Sequence, residues 1–179
     1  MSTRDIYLIG FSGSGKSTIA RLLGARLGWP VIDLDRLITE QSAMSIPDIF
    51  EREGEAGFRT RETEALRSFP KDTAFVVATG GGIATRAENR ALMEHSGWII
   101  NLEARPETLY ARIQEQLNMA HPDAQRPLSR SLEQIRELKQ QRQWQYALAD
   151  WTIHTDRLSA EQAVDEIVRA VGILEQYRG

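Results

Sequence analysis

Residues 6–27 read IYLIGFSGSGKSTIARLLGARL, and this stretch decides the fold. It opens with four apolar residues typical of a buried strand and continues through the spacing G-x-x-x-x-G-K-S at residues 10–17. It ends in apolar residues at helical spacing. A strand, a glycine-rich turn and a helix in that order form the context in which this spacing binds nucleotide phosphates. A glycine and serine turn that matches by chance is the alternative, and the flanking patterns weigh against it.

The residue types of the turn suit phosphate binding. Its glycines allow backbone conformations closed to other residues and bring N–H groups close to an anion. Lys16 offers a charge to the β- and γ-phosphates, the Ser17 hydroxyl can ligate Mg²⁺, and the helix N-terminus adds its positive dipole end. We therefore predict a nucleotide site formed by Gly13, Ser14, Gly15, Lys16, Ser17 and Thr18.

Composition limits the class of protein. With 179 residues, 41% of them apolar and 26% charged, the chain predicts one domain over residues 1–179. The absence of cysteine excludes disulfides and thiolate metal sites, and a net charge of −3 argues against nucleic acid as a partner. No apolar run approaches the roughly 18 residues of a membrane span, and the start lacks a signal-peptide pattern. We expect a cytoplasmic protein without a membrane partner, and a monomer because no long apolar stripe is left over.

Strand and helix patterns alternate along the chain. This alternation predicts an α/β fold, a three-layer parallel sheet of about five strands with helices on both faces. In such sheets ligands bind beyond the carboxyl ends of the strands. Residues 117–130 lack clear periodicity and are predicted to form a mobile lid. The predicted strands cover residues 6–9, 31–33, 75–78, 98–102 and 152–154.

Two carboxylates follow the second predicted strand. Asp33 and Asp35 are separated by one residue, and in an extended segment that spacing puts both on the same side. One could organise a metal ion and the other act as a base. The alternative is that Asp35 only caps the helix that starts at Arg36. The neighbouring phosphate loop favours the functional interpretation.

Three further groups follow or flank the strands. Gly80-Gly81-Gly82 would let a ligand lie against the backbone, with a flexible turn as the alternative. Arg59 and Glu62 share a helix face, so Glu62 could hold the guanidinium toward an anionic ligand. Taken alone, that pattern favours a solvated surface pair. Arg126 in the lid could close over the γ-phosphate, whereas a lone loop arginine usually faces solvent.

In order along nearly the whole chain, these motifs resemble the shikimate kinase family, compact P-loop kinases built like nucleoside monophosphate kinases. The resemblance implies transfer of the ATP γ-phosphoryl group to the 3-hydroxyl of shikimate, with Mg²⁺ as cofactor. It also implies a substrate-binding region at about residues 33–62 and a lid at about 117–130. The motifs are residues 10–18, Asp33-Leu34-Asp35, Phe58-Arg59 with Glu62, Gly80-Gly81-Gly82, Arg126-Pro127-Leu128, and Arg142 with Tyr146.

The resemblance implies a role for each matching residue. Lys16 and Ser17 would hold ATP and Mg²⁺, and Asp33 would support the metal through water. Asp35 would orient or deprotonate the attacking hydroxyl. The substrate carboxylate would be gripped by Arg59 and Arg142, with the backbone of Gly81 against the substrate. Arg126 would be the lid arginine and Arg112 would lie along the adenine.

Several features leave alternatives open. The family usually has a proline within the segment that reads Arg142-Gln143-Trp144-Gln145-Tyr146, so Trp144 is expected to reshape the pocket. A gluconate kinase shares the phosphate loop, but it would have a histidine soon after the acid pair, where this chain reads Asp35-Arg36-Leu37-Ile38-Thr39. A nucleoside monophosphate kinase fits the acid pair and the glycine run less well. A regulatory nucleotide-binding module without turnover is the non-enzymatic alternative.

Overall fold

The phosphate-loop segment lies at the centre of a five-stranded sheet. The structure is a computed structural model and describes residues 4–119 and 131–177. All strand pairs are parallel, in the order β2-β3-β1-β4-β5. This confirms the predicted fold class. The strands are β1 (Asp5–Ile9), β2 (Val31–Asp33), β3 (Val76–Ala78), β4 (Gly97–Glu103) and β5 (Trp151–His154).

Helices cover both faces of this sheet. They are α1 (Lys16–Leu27), α2 (Leu34–Ser42), α3 (Ile46–Arg67), α4 (Ala87–Ser96), α5 (Pro106–Met119), α6 (Leu132–Tyr146) and α7 (Ala160–Tyr177). Side chains alternate along β1, so that Ile6 and Leu8 pack with α1 and α7 while Tyr7 and Ile9 pack with the helices of the opposite face. Burial on both faces explains why the central strands are continuous apolar runs.

The strand order places two loops side by side. The chain leaves β1 toward β2 at one edge and leaves β3 toward β4 on the other side of β1. Such a reversal opens a crevice at the carboxyl ends of the two strands, where open α/β sheets bind ligands. The phosphate loop follows β1 and Gly80-Gly81-Gly82 follows β3, so both predicted loops line this crevice.

Two local expectations need revision. The strand β2 ends at Asp33 and α2 begins at Leu34, so Asp35 lies in the first helical turn and not in an extended segment. The loop expected from residue 117 starts later, because α5 continues to Met119. Helix α3 is interrupted at Gly54, whose φ of 69° and ψ of −175° are not helical, so it consists of two helical segments joined at a kink.

Within the described ranges, none of the helices combines the length and the apolar character needed to cross a bilayer.

Candidate active site

The phosphate loop, residues 10–17, owes its shape to glycines. Gly10, Gly13 and Gly15 have φ of 139°, 81° and 93°, a region that side chains disfavour. At residue 10 close approach matters as well, since a Cβ there would lie 2.5 Å from the Leu102 carbonyl oxygen of β4. Gly15 is the residue from which α1 starts. The loop therefore presents backbone N–H groups and a helix N-terminus to the crevice, as an anion site requires.

The Lys16 side chain is bonded to backbone of the phosphate loop itself. Its ammonium group donates to the carbonyl oxygens of Gly10 and Phe11 at 2.9 and 2.8 Å, and its residue is buried. Ser14 is also buried, with its hydroxyl 3.4 Å from the same ammonium group. The lysine is thus fixed over the carboxyl end of β1, beside the place where the loop would hold phosphates.

Ser17 and Asp33 bring two oxygen ligands together. The Ser17 hydroxyl donates to Asp33 Oδ2 at 2.8 Å, which joins the first turn of α1 to the end of β2. Asp33 Oδ1 accepts from the Arg36 N–H at 3.3 Å, so Asp33 is the N-cap of α2. The alternative in which Asp35 caps this helix is therefore wrong.

This pair of oxygens fits Mg²⁺. Magnesium prefers hard oxygen ligands and is usually held by one or two protein groups together with substrate phosphates and water. Among residues 4–119 and 131–177, no group of three or more His, Asp or Glu side chains converges as a closed metal cage would need. A magnesium ion held by these two oxygens would therefore need further ligands from substrate phosphates and water.

Asp35 and Glu62 meet over Gly80. A Cβ on residue 80 would lie 3.0 Å from Asp35 Oδ1 and 2.9 Å from Glu62 Oε1. The two carboxylates come from α2 and α3, and the glycine lets both approach the backbone at the end of β3. Asp35 consequently reaches the crevice although it lies in a helix.

Arg59 and Glu62 form a buried ion pair. Arg59 is 6% exposed and Glu62 is fully buried. Arg59 Nη1 donates to Glu62 Oε2 at 2.8 Å, and Nη2 donates to Glu55 Oε1 at 3.1 Å. The surface pair that the sequence pattern favoured in isolation is therefore wrong. Burial raises the pKa of the Glu62 carboxyl to about 7, although the Arg59 guanidinium opposes this shift.

The second and third glycines after β3 fit against other parts of the site. A Cβ on residue 82 would lie 2.2 Å from Arg59 Nη2, so any larger residue here would force the guanidinium to move. A Cβ on residue 81 would lie 3.3 Å from the backbone nitrogen of Ser12 in the phosphate loop. The glycine run is thus a close-packed joint between the phosphate loop and Arg59, and not a loose turn.

Helix α6 contributes a second arginine. Arg142 Nη1 donates to the Gly81 carbonyl oxygen at 3.3 Å, and the Tyr146 hydroxyl donates to the same oxygen at 2.6 Å. Burial raises the pKa of Tyr146 to about 12, so the phenol keeps its proton. We call Arg59, Glu62, Gly82 and Arg142 the arginine pocket. Trp144, which the sequence predicts to reshape the pocket, is exposed and lies against Arg90, with 5.3 Å between guanidinium and ring centre.

Arg112 lies on the other flank of the phosphate loop. Its guanidinium donates to the hydroxyl and carbonyl oxygens of Thr155, after β5, at 3.1 and 2.8 Å. Helix α5 packs closely on the loop, because a Cβ on Gly13 would lie 2.8 Å from Ile113 Cγ1. Arg126 and most of the predicted lid lie outside the described residues.

The arrangement combines a glycine-rich loop at a helix N-terminus, the hydrogen-bonded oxygens of Ser17 and Asp33, and two arginines within one crevice. The sequence identified Arg59, Gly81 and Arg142, which the structure brings together around residues 80–82. It missed the role of Gly82 as the space for Arg59 and the meeting of Asp35 with Glu62. The run of three glycines was the available signal, but only the packing shows what each glycine faces.

Comparison with known proteins identifies close relatives. The sequence model of the shikimate kinase family matches residues 12–172. A shikimate kinase from Geobacter metallireducens is 42% identical over 169 residues, covering 93% of this chain and 90% of the relative. The solved structure of shikimate kinase from Acinetobacter baumannii in complex with shikimate superposes with a TM-score of 0.84 at 34% identity, covering 95% of this chain and 93% of that one.

A solved gluconokinase structure also superposes on this chain, but the similarity is lower. A gluconokinase from Sinorhizobium meliloti superposes with a TM-score of 0.56 at 15% identity, over 98% of this chain and 95% of that one. Identity at this level shows a shared fold alone, as expected where several chemistries occupy one architecture.

Proposed function

Because the chain belongs to the shikimate kinase family, we propose that its crevice binds ATP and shikimate and transfers the γ-phosphoryl group to the 3-hydroxyl. The products are shikimate 3-phosphate and ADP, and the reaction belongs to the biosynthesis of aromatic amino acids through chorismate. The chain is an ATP-dependent small-molecule kinase. The proposals that follow assign its residues to this reaction.

The arginine pocket holds the substrate carboxylate in this proposal. Arg59 and Arg142 both border the backbone at residues 81 and 82, so a ring lying against this backbone would have its carboxylate between them. Guanidinium groups recognise carboxylates through paired hydrogen bonds, and burial strengthens these bonds. The single observation that carries the proposal is the buried guanidinium of Arg59 packed on Gly82, next to a glycine that contacts the phosphate loop.

Phosphoryl transfer takes place between this pocket and the phosphate loop. Gly13, Ser14, Gly15, Lys16, Ser17 and Thr18 bind the nucleotide phosphates, and Arg112, which is bonded to Thr155, would lie along the adenine. Asp35 faces Gly80 at the junction, where it accepts or orients the proton of the attacking hydroxyl. Ser17 would hold Mg²⁺ directly and Asp33 would hold it through water. The ion would supply positive charge to the phosphates. Arg126 is the proposed lid arginine.

The cellular location and the oligomeric state in this proposal rest on the sequence. We place the protein in the cytoplasm, where ATP is plentiful, and we expect a monomer.

The test is a coupled assay of ADP release with ATP and Mg²⁺, comparing shikimate, gluconate, a mixture of nucleoside monophosphates and no acceptor. We expect release that depends on shikimate. Release with gluconate instead would overturn the assignment of the arginine pocket. Binding of ATP without acceptor-dependent release would favour a regulatory module.

A further inference from the structure

Glu62 has one part in the proposed site, its ion pair with Arg59, but its surroundings are unusual for a carboxylate. The residue is fully buried, and its two oxygens have different neighbours. Oε2 accepts from Arg59 Nη1 at 2.8 Å. Among the described residues, Oε1 has no hydrogen-bond partner, and it lies where a Cβ on Gly80 would be 2.9 Å away. A buried polar atom without a partner is costly, which points to a proton or a ligand at this oxygen.

Carboxylates outnumber guanidinium groups in the cluster around Glu62. Arg59 faces it from its own helix, Asp35 from α2 and Arg142 from α6, and the exposed Glu55 is bonded to the same Arg59. The two guanidinium groups are thus outnumbered by three carboxylates before any substrate enters, two of them at Glu62 and Asp35 and the third at the exposed Glu55. Desolvation and the charge of Asp35 raise the pKa of Glu62 to about 7, against the pull of Arg59 and Arg142.

A substrate carboxylate would compete for the same donors. Arg59 Nη1 is bonded to Glu62 and Nη2 to Glu55, while Arg59 Nε is buried with no hydrogen-bond partner among residues 4–119 and 131–177. A carboxylate arriving at this guanidinium adds a fourth negative charge to the cluster. In a buried site like charges cannot all stay ionised, so one carboxyl takes up a proton.

We propose that the substrate carboxylate replaces Glu62 as the ion-pair partner of Arg59. Glu62 takes up one proton from the buffered solvent as this happens. The proposal rests on the proposed function, because it needs a carboxylate at Arg59. The proton goes to Glu62 and not to the substrate, since an ordinary carboxylic acid has a pKa near 4. Glu62 is therefore a positioning residue that acts through Arg59 and makes substrate affinity depend on pH.

Because Glu62 takes up a proton when substrate binds, substrate affinity must fall as the proton concentration falls. Above the pKa of Glu62 near 7 the free enzyme carries an ionised Glu62, and binding must then bring in a proton. Substrate affinity therefore falls as pH rises above 7, by up to about tenfold per pH unit. Below that value Glu62 already holds its proton, and affinity becomes independent of this group.

Isothermal titration calorimetry on the full chain tests the proposal. Shikimate binding is measured at pH 6 and pH 8 in buffers that differ in ionisation enthalpy, since the slope of the observed enthalpy against that of the buffer counts the protons taken up. We expect uptake of about one proton at pH 8 and close to none at pH 6. E62Q should abolish the uptake at pH 8, whereas E55Q, the matched change at the exposed partner of Arg59, should retain it.

The outcomes separate the two proposals. Shikimate binding without proton uptake at pH 8, or uptake that persists in E62Q, overturns this inference and leaves the function intact. The absence of shikimate binding under every condition overturns the proposed function and this inference together. If E62Q does not fold, the pH dependence of uptake in the unaltered chain still decides, because its midpoint must lie near 7.

Discussion

The phosphate loop and the arginine pocket meet at Gly81, and they are built in different ways. The loop is one continuous stretch whose shape comes from glycine backbone and whose lysine bonds to its own carbonyl oxygens. The pocket takes side chains from α3 and α6 and backbone from the loop after β3. A local site tolerates change elsewhere in the fold, whereas an assembled site depends on every element that positions it. The predictions below use this difference.

The largest effect is expected in the phosphate loop, from Lys16→Ala. Lys16 is the cation of the loop, so its loss should lower kcat about a thousandfold by removing charge stabilisation of the transferred group. Shikimate binding should stay nearly unchanged, because the arginine pocket does not use Lys16. Steady-state ADP release and calorimetry measure the two quantities. Lys71→Ala, at an exposed lysine, is the control and should match the unaltered chain.

Asp35→Asn should have the next largest effect, at the junction between the two regions. Loss of a proton-accepting group should reduce phosphoryl transfer about a hundredfold or more while ATP binding is retained. Single-turnover kinetics and nucleotide binding measure the two quantities. An unaffected rate would mean that Asp35 has no part in the chemistry.

Gly82→Ala tests the arginine pocket without replacing a charged residue. The added Cβ would lie 2.2 Å from Arg59 Nη2, so the guanidinium must move. Overpacking of this kind costs about 1–3 kcal/mol, and we expect the KM for shikimate to rise about tenfold or more while the KM for ATP stays constant. The control is Gly172→Ala in α7, where a Cβ meets nothing within 4 Å. An equal change in both Michaelis constants would argue against a separate pocket.

Arg142→Ala should have the smallest effect of the four. Arg142 is half-buried and its bond to the Gly81 carbonyl oxygen is 3.3 Å long, so water screens it more than Arg59. We expect shikimate binding to weaken by about 1 kcal/mol. The dissociation constants of shikimate for the unaltered chain and for Arg142→Ala, both from calorimetry, measure this change. A loss larger than that caused by Arg59→Ala would reverse the ranking of the two arginines.

The same difference explains how much the sequence could predict. The phosphate loop and the helix after it were predicted residue by residue, because G-x-x-x-x-G-K-S and the helical spacing behind it are local patterns. The parallel sheet followed from the alternation of strands and helices. Both signals are carried by neighbours along the chain.

The arginine pocket was predicted in part. The spacing of Arg59 and Glu62 showed that they share a helix face, but it favoured a solvated pair. Whether that face is buried depends on Gly82 and on Asp35 of α2, which are distant in sequence. The position of the Asp33 cap was missed for a related reason, since the strand ends one residue before the helix begins and leaves no extended segment.

The central claim is that Arg59 recognises the carboxylate of shikimate. The most direct measurement compares kcat/KM for shikimate and for its uncharged methyl ester in the unaltered chain and in Arg59→Ala. We expect the unaltered chain to favour the acid by about 2–5 kcal/mol, the usual effect of a buried charge pair, and the variant to lose most of this preference. An equal preference for the acid in both proteins would contradict the claim and assign the carboxylate to another residue.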